Sequence, residues 1–165
     1  NFSPEKMCVG GVSAGGGLAL ALLIFLKENS ISIPACSVLM SPWTDLSQSC
    51  DSYESKKMID PVIKKEYLQS WADDYLQGQE FSNPLASPLF ADLSGMPPSL
   101  IQVGSSEVML GDSERIFDKS KLADSPVELE VWPEMFHGWQ NNYDFLLESR
   151  QAVKNIGEFF KKNIK

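Results

Sequence analysis

The chain has 165 residues, enough for one domain with a real core, and 43% hydrophobic with 22% charged residues is ordinary globular composition. A formal charge of −8 repels phosphate backbones, which argues against nucleic acid as a partner, and no basic run suggests an anionic membrane surface. The longest apolar run, Leu18 to Leu26, is nine residues, against about 20 for a membrane span, and no secretory signal pattern opens the sequence.

Strand and helix patterns alternate along the chain, which predicts an α/β fold with a mostly parallel sheet flanked by helices. "KMCVGGV" reads as the first strand. A helix from about Ala14 to Glu28 follows, nearly all apolar at its start and therefore expected to be buried. "ACSVLM" (35–40) reads as a short, fully buried strand, and "SPWTDLSQS" as a loop. Residues 60–76 read as an amphipathic helix, with Asp60 as N-cap and Pro61 at the first helical position. "GQEFSNPLASPLFADLSGMPP" is a long irregular segment with four prolines, expected to be functional or to wrap a surface. "SLIQVG" (99–104) is the third strand, followed by a helix from about Asp112 to Ala123. "VELEVW" (127–132) alternates and reads as a more exposed strand at an edge. The last helix is expected from about Tyr143 to Lys162, carrying Phe145, Leu146, Val153, Ile156, Phe159 and Phe160 at helical spacing.

Cys8, Cys36 and Cys50 are too few and too scattered for a disulfide framework. Cys8 and Cys36 sit in apolar strand-like runs and read as buried free thiols, which favours a reducing compartment and a cytoplasmic location. With one histidine and no Cys-x-x-Cys pair, metal ligation lacks ligands, and no cofactor is expected.

The segment "CVGGVSAGGGLALALLIFL" carries the chemistry. Gly10, Gly11, Gly15, Gly16 and Gly17 surround Ser13, and that density of a residue costly in backbone entropy implies a geometric need. Gly11 to Gly15 is a G-x-S-x-G match lying between a strand and a helix, the context that motif requires. A serine on such a turn has a strained backbone, and neighbouring strands leave no room for side chains beside it. The first amides of the helix face the reacting centre, with Ala14 N–H as the expected oxyanion donor.

A serine hydroxyl needs a base, and the one histidine, His137, lies in "PEMFHGWQ" just past the fourth strand. That is the carboxyl end of a parallel strand, where such sheets bind ligands. The acid has two candidates after the third strand, Glu107 and Asp112 in "GSSEVMLGDSE". Asp112 also suits a helix cap or first turn, whereas Glu107 sits in the loop with no capping task. Trp43, Phe136 and Trp139 are apolar residues near these positions that could line a substrate pocket or serve as core.

These segments resemble the bacterial esterases of the hormone-sensitive-lipase family of α/β-hydrolases, over nearly the whole chain. "GGVSAGGGLALAL" is similar to that family's nucleophile segment, usually G-D-S-A-G-G; "LMSPWTDLS" to the loop after its next strand; "NPLASPLFADLSGMPPSLIQVGSSEVML" to the stretch leading to its acid; and "EVWPEMFHGWQ" to its histidine segment. The order serine, acid, histidine is the order of that fold. The resemblance implies Ser13 as nucleophile, His137 as general base and Glu107 as acid, with Asp112 near the second acidic position of the motif. It also implies hydrolysis of short to medium acyl esters, without metal or cofactor.

Two departures stand out. Val12 replaces the aspartate usual before the serine. The H-G-G-G motif that completes the family's oxyanion hole, the first strands of its sheet and most of its cap do not occur here. Residues 1–165 therefore resemble the C-terminal portion of a single α/β-hydrolase catalytic domain. Its missing N-terminal half, on the same or a separate chain, is the expected partner, and residues 1–165 alone are expected to be unstable. The strand-like edge at 127–132 invites a homodimer. A rival reading from another class is a non-catalytic, hydrolase-like binding module, or a fragment inactive without its other half.

Overall fold

The computed structural model describes residues 3–164. Four strands, β1 (Cys8–Val12), β2 (Cys36–Met40), β3 (Ser99–Gly104) and β4 (Val127–Trp132), form one parallel sheet in the order β1-β2-β3-β4. Leu39 is level with Ile101, and Ile101 with Leu129, so one row of apolar side chains crosses three strands. That row faces α1 (Ala14–Glu28) and α4 (Leu110–Leu122), where Leu20, Leu23, Ile24 and Ile116 complete the larger core. The alternate residues Cys36, Val38 and Leu100 face the other way, onto Phe159 of α5 (Leu147–Asn163). A parallel strand covered on both faces is apolar on both, which is why 35–40 shows no alternation; its one polar residue, Ser37, is buried with its hydroxyl 2.7 Å from that of Ser99.

A third cluster lies beyond the carboxyl ends of the strands. The short α2 (Ser52–Ser55) and α3 (Lys65–Leu76) pack Tyr53, Leu68, Ala72 and Leu76 against Trp43, Leu46, Val108 and Met109 from the loops after β2 and β3. The proline-rich segment has one 3-10 turn, Pro88–Phe90, and turns Leu89, Ala91, Leu93 and Met96 into the main core. It wraps the surface rather than hanging free.

Several boundaries differ from expectation. The helix of 60–76 starts only at Lys65. Asp60 caps no helix: one carboxylate oxygen accepts the Val62 and Ile63 amides, and the other accepts Val108 N–H at 3.0 Å. Holding the turn and the distant loop uses up both oxygens. The last helix begins at Leu147, after a 3-10 turn at Trp139–Asn142. Arg150 donates to the Tyr143 and Asp144 carbonyls, and Leu146 is extended, so 143–146 form a bend that leaves Phe145 90% exposed. Helix α4 begins two residues earlier than expected, which puts Asp112 inside its first turn.

Helix α1 keeps its expected length but is not buried all round. Leu18, Leu22 and Phe25 form an exposed stripe at helical spacing, because β1 ends the sheet and nothing described stands on that side. β4 ends the other side and pairs only with β3 among the described residues. Among the described residues no helix is long and apolar enough to cross a membrane. Cys8, Cys36 and Cys50 are free thiols; Cys36 is buried, and Cys8 is only half-buried.

Candidate active site

Ser13, Ser41, Glu107 and His137 all follow the carboxyl end of a strand, one on each of the four. Ser13 has φ 59° and ψ −124°, a conformation that costs a non-glycine residue about 1–3 kcal/mol. The backbone around it holds it there. Ser13 N–H donates to Met40 O at 2.9 Å, tying the turn to β2, and Ser13 O accepts the amides of Gly16 and Gly17. The same carbonyl accepts Trp43 N–H at 3.0 Å, which ties the turn to the loop after β2. None of these bonds uses the hydroxyl. The first amides of a helix have no intrahelical acceptor, so Ala14 N–H at the start of α1 is a donor beside the serine.

Glu107 is fully buried and His137 is 8% exposed. His137 Nδ1 and Glu107 Oε2 are 2.9 Å apart. The other oxygen, Oε1, accepts Gly104 N–H at 2.6 Å and the Ser41 hydroxyl at 2.8 Å. A buried carboxylate is costly unless hydrogen-bonded, and this one is satisfied at both oxygens. Gly104 allows the approach, since a β-carbon there would lie 2.1 Å from Met135 O. The histidine loop lies over the serine turn: a β-carbon on Gly138 would lie 3.7 Å from Val12 Cγ1. Among the described residues the closed contact is that of Glu107 with His137, and the Ser13 hydroxyl carries no hydrogen bond. Such contacts are often loose without substrate.

Asp112 lies elsewhere. Its Oδ2 accepts Thr44 N–H at 2.8 Å and Asp45 N–H at 2.9 Å, so it fastens α4 to the loop after β2. Burial pushes its carboxyl up to about 7; the Thr44 amide opposes this and the nearby Asp45 charge adds to it. Cys50, whose thiol faces the same carboxyl, is pushed up to about 11 by burial and by that charge. Asp45, a few ångströms along the loop, goes the other way. Burial alone would raise it, but hydrogen bonds from Ser47 and Ser49 outweigh burial and hold it low.

A raised carboxyl means the folded protein binds a proton that the unfolded chain releases between about pH 4 and pH 7. Asp112 therefore contributes stability that is full below pH 4 and lost as pH rises through about 7, roughly 4 kcal/mol at most. Asp112→Asn keeps an acceptor but cannot ionise. We expect it to flatten the dependence of urea-unfolding stability on pH across that window. An unchanged slope would show that Asp112 does not carry it.

An apolar cavity of about 390 Å³ opens beside the serine turn, lined by Ala14, Gly15, Trp43, Trp71, Tyr75 and Leu85 among others. Trp43 lines this cavity. Phe136 is half-buried outside this lining. Trp139 is fully buried with its ring 6.0 Å from that of Trp132, so it is core. Trp71 and Tyr75 escaped the sequence reading because α3 looks like an ordinary amphipathic helix; their spacing of four was the available signal. Ser41 escaped it too, as one serine in a loop rich in them. Among the described residues no group of three or more His, Cys, Asp or Glu is placed to hold a metal ion.

A parallel sheet flanked by helices, with a strained serine after one strand and a bonded acid–histidine pair after two others, defines the α/β-hydrolase class. The family model described as the alpha/beta hydrolase fold matches residues 1–141, and the chain belongs to that family. It is 39% identical over 158 residues to an acetyl-hydrolase from Streptomyces hygroscopicus, covering 96% of this chain and 53% of the relative. It superposes with a TM-score of 0.98 and 41% identity on an esterase from the bacterial hormone-sensitive lipase family, covering all of this chain and 56% of that one. A crystal structure of EstE5 soaked with p-nitrophenyl butyrate gives a TM-score of 0.96 at 37% identity, over 99% of this chain and 55% of that one. The chain spans about half the length of the relatives it matches and corresponds to their C-terminal part.

Proposed function

We propose that the protein carrying this chain is a serine carboxylic-ester hydrolase acting on short to medium acyl esters. The observation that carries the proposal is the buried Glu107–His137 contact of 2.9 Å beside the strained turn of Ser13. In this reading His137 takes the Ser13 proton as the serine oxygen attacks the ester carbonyl. Glu107 fixes the imidazole's orientation and stabilises its charged form. Ala14 N–H donates to the tetrahedral oxyanion, where a preorganised donor is worth about 2.7–4 kcal/mol. As that intermediate collapses, His137 returns the proton to the departing alkoxide, which releases the alcohol and leaves an acyl-serine with a neutral imidazole. Water, deprotonated by His137, then attacks the acyl carbonyl, and His137 gives that proton to the Ser13 oxygen as the acid leaves. The apolar cavity suits an acyl or aryl group, and the names of the acetyl-hydrolase and p-nitrophenyl butyrate-soaked relatives agree with small esters.

The part of the relatives beyond this chain would supply further oxyanion donors and cover the Leu18–Leu22–Phe25 stripe. A binding module would gain nothing from burying a carboxylate against the only histidine, so that rival is not favoured.

The test is a fluorophosphonate probe applied to the protein that carries this chain. Peptide mapping should find the adduct on Ser13, with labelling lost in Ser13→Ala and strongly slowed in His137→Gln. An adduct on another residue, or none, would remove the proposal.

A further inference from the structure

We infer that Ser41 is a positioning residue that sets the direction of the acid in the Glu107–His137 pair, an inference that rests on the esterase reading of that site. Ser41 is fully buried at the end of β2, with φ 45°. Its amide donates to Gln102 O at 2.7 Å, extending the β2–β3 pairing one step past the strand end. This fixes the Cα, so the hydroxyl has little choice of direction. It donates to Glu107 Oε1 at 2.8 Å, and its lone pair accepts Gly138 N–H at 3.4 Å. A hydroxyl has one hydrogen and two acceptor sites, so both bonds form together.

The consequence is geometric. A carboxylate held by one donor can still swing about its terminal torsion, which is broad and soft. Oε1 of Glu107 is held by two donors from different segments, Gly104 N–H and the Ser41 hydroxyl. That leaves Oε2 aimed at His137 Nδ1. The bond from Gly138 attaches the residue after the histidine to the same hydroxyl. One oxygen thus joins the ends of two strands to the loop that carries the base.

The backbone at Ser41 supplies the means to separate this role from a merely structural one. At φ 45° glycine is the favoured residue, so Ser41→Gly removes the hydroxyl while relaxing the backbone. Ser41→Ala removes the hydroxyl and keeps the strain, and Ser41→Cys keeps a weak donor. All three are made in the protein that carries this chain, with folding checked by thermal unfolding. The first readout is the downfield Nδ1–H proton resonance of the His137–Glu107 bond, assigned by its loss in His137→Gln and recorded without substrate. The second is the split of kcat from KM on a short p-nitrophenyl ester.

We expect the resonance to shift or broaden in both Ser41→Ala and Ser41→Gly. kcat should fall about 10- to 100-fold with KM within about twofold, because a small misalignment is felt only in the reacting geometry. Ser41→Cys should recover part of both. A Ser41→Gly protein with an unmoved resonance and full kcat would overturn the inference. The resonance needs no turnover, so it separates failure of this inference from failure of the esterase reading, which the probe on Ser13 decides.

Discussion

Ser13→Ala is expected to lower turnover of a short p-nitrophenyl ester by about five orders of magnitude or more, with the fold intact. Both halves follow from the turn's construction. The bonds that hold the turn run through Ser13 N–H and Ser13 O, to Met40, Trp43, Gly16 and Gly17, and none runs through the side chain. Alanine keeps every one of them. What disappears is the oxygen that would form the acyl-enzyme, for which Glu107 and His137 have no substitute. Steady-state rates, with thermal unfolding as control, check both halves. Persistent turnover in Ser13→Ala would mean that the nucleophile lies elsewhere.

Gly11→Ala is expected to cost about 3 kcal/mol or more of stability and nearly all activity, whereas Gly15→Ala should unfold within about 1 kcal/mol of the unaltered protein. The two frame the same serine, and their surroundings are opposite. A β-carbon at Gly11 would lie 2.2 Å from Gly15 O and 2.8 Å from Gly16 N, both main-chain atoms. No rotamer can relieve that; helix α1 would have to lift off the strand, and the serine would go with it. A β-carbon at Gly15 meets nothing within 4 Å, and Gly15 is exposed at the lining of the cavity. Its effect should appear instead in which esters are accepted. Urea unfolding of the two variants checks the contrast, and equal losses would sink it.

That contrast marks how far the sequence could be read. The motif signalled that glycine is needed somewhere around Ser13, because strand, turn and helix meet there at main-chain distance. It could not say which glycines, since contacts such as Gly17 against Trp43 O cross from α1 to a loop 26 residues away. The strands and α1 were legible for a local reason: their apolar runs are bounded by turn residues. The helix starts near 65 and 147 were not. Asp60 is committed to Val108, 48 residues away, and Arg150 to the carbonyls of the bend before its own helix, and a capping pattern shows neither. Glu107 and His137 were legible as types at strand ends. Their contact and its support by Ser41 depend on three strands arriving in register.

Asp112 has a bearing on kinetics as well as on folding. Imidazole side chains ordinarily change charge near neutrality, and an inflection there in a hydrolase's rate profile is by habit credited to the base. In this protein a carboxyl sealed behind Thr44 and Asp45 loses its proton in the same interval. It grips the stretch whose next residue back, Trp43, steadies the serine carbonyl. A velocity profile that bends near neutrality would therefore also record a proton leaving the carboxyl that fastens this loop, a group apart from the reacting atoms.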